Sequence, residues 1–137
     1  MGRLASTPEN EPLTSKITPD EAAAMFRAVF NLFRLWKLAD PQARVLLGQP
    51  SPSTFYRWKR GEIRAVPPDT IWRLADLMGI HKALRHLFTD RERGYAWLSR
   101  PNAAFGGKSA LDRMLAGAPS DLSAVRSYLD AERGGGW

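Results

Sequence analysis

The chain has 137 residues, with 20 Lys and Arg against 14 Asp and Glu, a formal charge of +6, a pI near 10.2 and no cysteine. That length sets one domain as the expectation, with room for a small helical core plus an appended module, and the lack of cysteine excludes disulfides, thiol nucleophiles and thiolate metal sites while fitting a reducing compartment. The basic balance favours a polyanionic partner, although excess Lys and Arg also serves solubility.

Met1 to Lys16 holds Gly, Ser, Thr, Pro and Asn with few apolar residues, and its composition is that of a mobile tail. It lacks the apolar stretch of a signal peptide, and no segment approaches a membrane span, which points to a cytoplasmic protein without a membrane partner. Thr18 then caps a helix with Pro19 at its first position and Asp20 and Glu21 in its first turn, where the helix dipole favours acids. Met25, Val29, Leu32, Phe33 and Trp36 make one apolar stripe, and Phe26 and Phe30 widen it beyond the needs of a small core. Either the extra face is a homodimer contact or the helix is deeply buried.

From Asp40 to Leu87 the pattern predicts four short helices. The first is Pro41–Leu47, ended by Gly48; the second opens at Ser51; the third is Pro68–Met78, with Ile71, Leu74, Ala75 and Met78 on one face and Gly79 as its stop; the fourth is His81–Leu87. In the second, SPSTFYRWKRGE, Ser51 is the N-cap, Pro52 the first helical residue and Gly61 the stop. Phe55 and Trp58 share a face that locks the helix into a core. That leaves Ser53, Thr54, Tyr56, Arg57 and Arg60 pointing mostly outward, with Lys59 and Arg64 adding charge and Glu62 as the one nearby acid.

Short helices joined by tight turns, the second of a pair being polar and cationic outside, make a helix-turn-helix. Arg57 is the candidate for a base-edge contact, since a guanidinium pairs bidentately with guanine O6 and N7. Lys59, Arg60 and Arg64 suit phosphate contacts that position the module. Ser53 and Thr54 either bind a phosphate or a base or only satisfy backbone donors, and Tyr56 belongs either to the core or to the groove. Such modules usually read two-fold operator sites as dimers, in keeping with the wide apolar face of the first helix. The run Leu47-Gly48, Ser51, Thr54 to Arg57, Trp58, Gly61, Pro67 and Leu74-Ala75 through Gly79 resembles the Xre family, the phage-repressor and Cro-like class.

After Thr89 the chain continues as a second, smaller module. Trp97-Leu98 ends a short helix, Arg100-Pro101-Asn102 breaks it, and Phe105-Gly106-Gly107-Lys108-Ser109 opens the next at Ala110-Leu111. Gly117-Ala118-Pro119 ends that one, and Leu122, Val125, Tyr128 and Leu129 define a last amphipathic helix before Glu132-Arg133-Gly134-Gly135-Gly136-Trp137. The WL, PN, FGGKS, LD and YLD-x-ERGG elements, following a helix-turn-helix in this order, resemble the MbcA/ParS/Xre antitoxin family over roughly Asp20 to Trp137.

The resemblance implies an all-α protein: a 1–16 tail, an Xre/Cro-like helix-turn-helix bundle over 17–88 and a small helical toxin-binding domain over 89–137. Members of the family are antitoxins for RES-domain toxins, enzymes that degrade cellular NAD, and they repress their own operon. Carried onto this chain, it places toxin contact on the C-terminal module, at Trp97, Asn102, Phe105, Lys108, Tyr128, Leu129, Glu132 and Arg133, and on the tail at Trp137, which would reach toward the toxin's NAD cleft. A basic Arg133 and a tryptophan on a glycine tether suit a pocket built for a phosphate-bearing aromatic ligand; the alternative is a plain disordered end.

Intrinsic catalysis is not expected, and no cofactor is implied. Gly107-Lys108-Ser109 imitates the end of a phosphate-binding loop, but Asn102 stands where that motif needs a glycine and no strand precedes it, so a helix N-cap is the better reading. His81 and His86 lack acidic ligands at usable spacing for a metal. Two function classes remain: an antitoxin that also binds DNA, and a DNA-binding regulator whose C-terminal module dimerises or senses another partner.

Overall fold

A computed structural model describes residues 17–134, and among them the chain forms seven α-helices and one 3₁₀ turn. Helix α1 (Pro19–Leu35) opens on a capping box: Thr18 Oγ1 accepts from the Glu21 N–H at 3.1 Å, and Glu21 Oε1 accepts from the Thr18 N–H at 2.9 Å. Its apolar face is used within the chain. Phe26 lies tilted at 4.9 Å from Trp58 and Phe30 meets Phe55 edge-on at 5.6 Å, ring centre to ring centre. Phe26, Val29, Leu32, Phe33 and Trp36 are buried, while Met25 and Phe30 are only partly covered. Most of the width read from the sequence is therefore core.

Helices α2 (Asp40–Leu46) and α3 (Pro52–Lys59) enclose a sharp turn in which Gly48 has φ 92° and Gln49 φ 58°. Ser51 Oγ caps α3 by accepting from the Thr54 N–H at 3.2 Å, and Phe55 and Trp58 are the two buried side chains that fix the helix to α1. The Cap–Pro–aromatic reading of this segment holds residue for residue.

The segment after Pro67 departs from expectation. It is one continuous helix, α4 (Pro68–Leu87), and not two helices separated at Gly79. Gly79 continues the helix, and a methyl group there would stand 2.5 Å from Arg126 Nε, whose guanidinium crosses α4 to reach Asp76 Oδ1 at 3.2 Å and the Ala75 carbonyl at 3.3 Å. The buried stripe also differs. Ile71, Leu74, Leu77, Ile80 and Leu84 lie in the core, whereas Met78 is exposed.

Helix α5 (Arg91–Trp97) is capped by Asp90, a 3₁₀ turn spans Ala103–Phe105, and α6 (Ala110–Met114) and α7 (Pro119–Gly134) complete the chain. Leu122, Val125 and Leu129 of α7 pack with Leu77, Ile80 and Leu84 of α4 in a core that also takes in α1 and α3. Inside it Arg73 is 5% exposed. Its Nε donates to Asp69 Oδ2 at 2.7 Å and its Nη2 to the Gly117 carbonyl at 2.8 Å. A methyl group on Gly48 would stand 3.1 Å from that Nε, so the α2–α3 turn rests directly on the arginine. One side chain thus touches the helix-turn-helix turn, α4 and the α6–α7 link.

Replacing Arg73 by alanine removes two charge-assisted hydrogen bonds and leaves a void beneath Gly48, and is expected to cost about 2–3 kcal/mol in urea unfolding with an unchanged denaturant slope. A loss below about 0.5 kcal/mol would show that the clamp contributes no more than an ordinary surface group. At the start of α7, the Arg113 guanidinium donating to Asp121 at 2.8 Å, with the Ala118 N–H at 2.9 Å, holds that carboxyl below the usual carboxylate range. A depressed native pKa stabilises the fold above the unfolded value and loses that contribution as pH falls through the native one. Asp121→Asn should therefore lower stability by about 1 kcal/mol at neutral pH, and thermal unfolding curves of the two proteins should converge under acid.

Candidate nucleic-acid interface and partner-facing surface

Helix α3 presents Ser53, Tyr56, Lys59 and Arg60 as exposed side chains, with Arg64 exposed in the loop that follows. Thr54 and Arg57 are half-buried. Arg57 Nη2 donates to Thr54 Oγ1 at 3.0 Å, and the Ser51 hydroxyl donates to the same Thr54 oxygen at 3.0 Å. The guanidinium is thereby drawn along the helix toward its capped end, over a groove of about 390 Å³ that Ser51, Thr54, Trp58, Asp69 and Thr70 also line. Thr54 has its backbone N–H taken by Ser51 and its hydroxyl by Arg57; Ser53 projects outward.

Tyr56 lies on the surface, 44% exposed, with its ring against the edge of Phe55 at 5.1 Å. Its hydroxyl donates to Asp40 Oδ2 at 3.1 Å, and Lys59 Nζ meets the other oxygen, Oδ1, at 2.9 Å. The sequence reading, with Glu62 as the lone acid near these cations, is corrected here: the α2–α3 turn brings in Asp40 from the start of α2. Glu62 Oε2 accepts from Arg60 Nε at 2.9 Å, and Arg64 makes no ion pair among the described residues. The Lys59 hydrogen bond holds the Asp40 carboxyl below its usual range, and the Arg60 hydrogen bond and charge do the same for Glu62. Both are anions at neutral pH. The face is therefore cationic but partly compensated, with exposed ion pairs of a kind that stabilise a fold weakly and exchange readily.

On the C-terminal side, Trp97, Phe105 and Tyr128 come together from α5, the 3₁₀ turn and α7. Trp97 stacks on Tyr128 at 6.0 Å and 12°, and Phe105 meets Tyr128 at 5.3 Å and Trp97 at 6.4 Å. Each is half-buried. Asn102 organises the loop beneath Phe105: its side-chain oxygen accepts from the Ala104 N–H at 2.9 Å, its carbonyl accepts from Phe105 and Gly107, and its N–H donates to the Lys108 carbonyl. Gly106 and Gly107, at φ 66° and 85°, supply the left-handed backbone that closes this loop and leaves Lys108 exposed. Ser109 and Asp112 then form a capping box on α6, which identifies the GGKS run as a helix start.

Of the other residues placed here from the sequence, Glu132 and Arg133 are exposed on the last turn of α7, with Arg133 Nη1 4.0 Å from Asp130. Glu132 follows Tyr128 by four positions and shares its face. Leu129 is corrected: it is 1% exposed and belongs to the core, because on α7 it falls with Leu122 and Val125 on the buried side. Trp137 lies outside the described residues. Sequence reasoning missed Asp40, and it also missed Trp72, an α4 side chain that is 52% exposed. His81 is half-buried and stacks on Tyr95 at 5.8 Å, where burial first and then Arg85 and Arg91 push its pKa down. Among the described residues no group of three His, Asp or Glu side chains is placed to hold a metal ion.

Residues 15–79 match the family model of the antitoxin Xre-like helix-turn-helix domain, and residues 83–135 match that of the antitoxin Xre/MbcA/ParS C-terminal toxin-binding domain. The two matches meet inside α4. Among curated proteins, the chain is similar to the uncharacterized protein y4oB of Sinorhizobium fredii, with 43% identity over 128 residues that cover 91% of this chain and 98% of that protein. No solved structure matches it.

Proposed function

Because the chain belongs to the Xre/MbcA/ParS antitoxin family, carrying its helix-turn-helix and its toxin-binding domain in succession, we propose that it neutralises a RES-type, NAD-degrading toxin and represses its own operon by binding operator DNA. The observation that carries this reading is the succession itself: one chain continues from a cationic α3, through the shared α4, into the toxin-binding module. Both activities are binding. No residue is asked to perform chemistry, and the site of action is the cytoplasm, where operator DNA and NAD are both present.

In this reading residues 17–88 serve DNA and 89–137 serve the toxin. Ser53 and Tyr56 face the groove, Arg57 reaches a base edge from the capped end of α3, and Lys59, Arg60 and Arg64 take phosphates. Two copies address a two-fold operator, as helix-turn-helix proteins commonly do. The toxin meets the aromatic cluster of Trp97, Phe105 and Tyr128, the neighbouring Asn102 and Lys108, and the end of α7 at Glu132 and Arg133, with Trp137 directed at the NAD cleft. A half-buried aromatic cluster suits such a contact, since large rigid rings bring much apolar area at little entropic cost.

Co-expression with a RES-domain toxin encoded beside it is the direct test, comparing the full chain with one ending at Ala131 by growth, NAD level and co-purification. The full chain should co-purify and restore NAD, and the shortened chain should bind without restoring it. A full chain that neither binds nor protects would leave the DNA-regulator reading in its place. For DNA, Arg64→Ala should lower the slope of log affinity against log salt by about 0.9, the value for one phosphate contact. Arg60→Ala should lower it less, since Arg60 is already matched by Glu62; fluorescence anisotropy on the DNA upstream of the gene measures both.

A further inference from the structure

We propose that Asp40 is a built-in competitor of DNA phosphate that sets the affinity threshold of α3. The proposal rests on the DNA-binding reading above and adds a residue that lies outside the recognition helix. Asp40 occupies the two donors of α3 nearest to it: Lys59 Nζ on Oδ1 at 2.9 Å and the Tyr56 hydroxyl on Oδ2 at 3.1 Å. The Lys59 and Asp40 side chains are 46% and 37% exposed, so the pair is wet and contributes little to folding. The Lys59 ammonium cannot engage a phosphate fully while it holds the carboxylate, and Tyr56 donates its single O–H to the same group. The carboxylate also repels any phosphate brought within a Debye length of about 8 Å, whatever the sequence.

Lys59 therefore contributes less than one released counterion when DNA binds. The resulting penalty is independent of sequence, so a duplex stays bound at physiological salt only where base contacts make up the difference. Asp40 differs from the other acid of this face in coming from outside the α3 segment and in holding two of its donors at once. Glu62 matches Arg60 within the loop, and Arg64 has no acidic partner among the described residues.

Asp40→Asn keeps the shape and an acceptor for Tyr56 while removing the charge, and Asp40→Ser is a second variant in case the amide perturbs the start of α2. Binding to a short random-sequence duplex is measured by anisotropy as a function of salt, with thermal unfolding as a check on folding. Either variant should bind roughly two- to tenfold more tightly near 0.1 M salt, with a salt slope steeper by up to about 1. Lys59→Ala should then weaken binding more in the Asp40→Asn background than in the parent. Unchanged or weaker binding by both folded variants, in a protein that Lys59→Ala still weakens, overturns the proposal and leaves the DNA reading standing. If the parent binds no duplex, random or upstream, the DNA reading falls and the proposal with it.

Discussion

Arg73 carries its guanidinium into a core where it is only 5% exposed; two of its three nitrogens are hydrogen-bonded there and Nη1 is buried without a partner. Asp69, one helical turn earlier, supplies the counterion, and the Gly117 carbonyl, 44 residues later, supplies the second acceptor. A buried charge is tolerated only when it is paired and hydrogen-bonded. That requirement fixes the α6–α7 link against α4, and it fixes the α2–α3 turn as well, because Gly48 leaves no side chain between its backbone and the guanidinium. The left-handed φ of 92° at Gly48 has the same consequence, since a side chain there would be strained whatever the space.

Helix α4 is the element through which these constraints act. Its inner face packs on α1 and α7, and Gly79 lets Arg126 cross it to Asp76. Helix α3 depends on the same core at one remove: Phe55 and Trp58 hold it to Phe26 and Phe30 of α1, and α1 in turn lies on α4. A rigid α3 offers its outward groups at fixed spacing, as the proposed DNA contact requires. The aromatic cluster of Trp97, Phe105 and Tyr128 is held from the other direction by α7. The two functional faces are therefore parts of one packed body, with no flexible linker between them among the described residues.

Much of this was legible from local chemistry. Thr18-Pro19, Ser51-Pro52 and Ser109 are capped helix starts that need no tertiary information, and Phe55 and Trp58 declare the buried side of α3 by spacing alone. The failures share a cause. Gly79 reads as a stop because glycine disfavours helices, yet it lies inside α4 against the guanidinium of Arg126, 47 positions later, and nothing local reports that. Periodicity puts Met78 on the wrong side of α4, since the direction of the core is set by neighbours and not by the stripe, whereas it puts Leu129 correctly with Leu122 and Val125, and only the contact role carried over from the resemblance fails there. Asp40 is nineteen residues from Lys59 and meets it only because the turn at Gly48 and Gln49 folds α2 beside α3. Arg57 points where Thr54 draws it, a choice between rotamers that sequence does not encode.

Helix α4 and the Arg73 clamp join the segments on either side of α4 into one cooperative unit. Native-state hydrogen exchange, followed peptide by peptide by mass spectrometry at increasing denaturant, tests it most directly. The account predicts that the slowest amides of α1, α4 and α7 open with one common free energy and one common denaturant dependence. If α5 to α7 exchanged through a separate opening of lower free energy while α1 to α3 stayed protected, the modules would be independent units that merely touch, and the account would be contradicted.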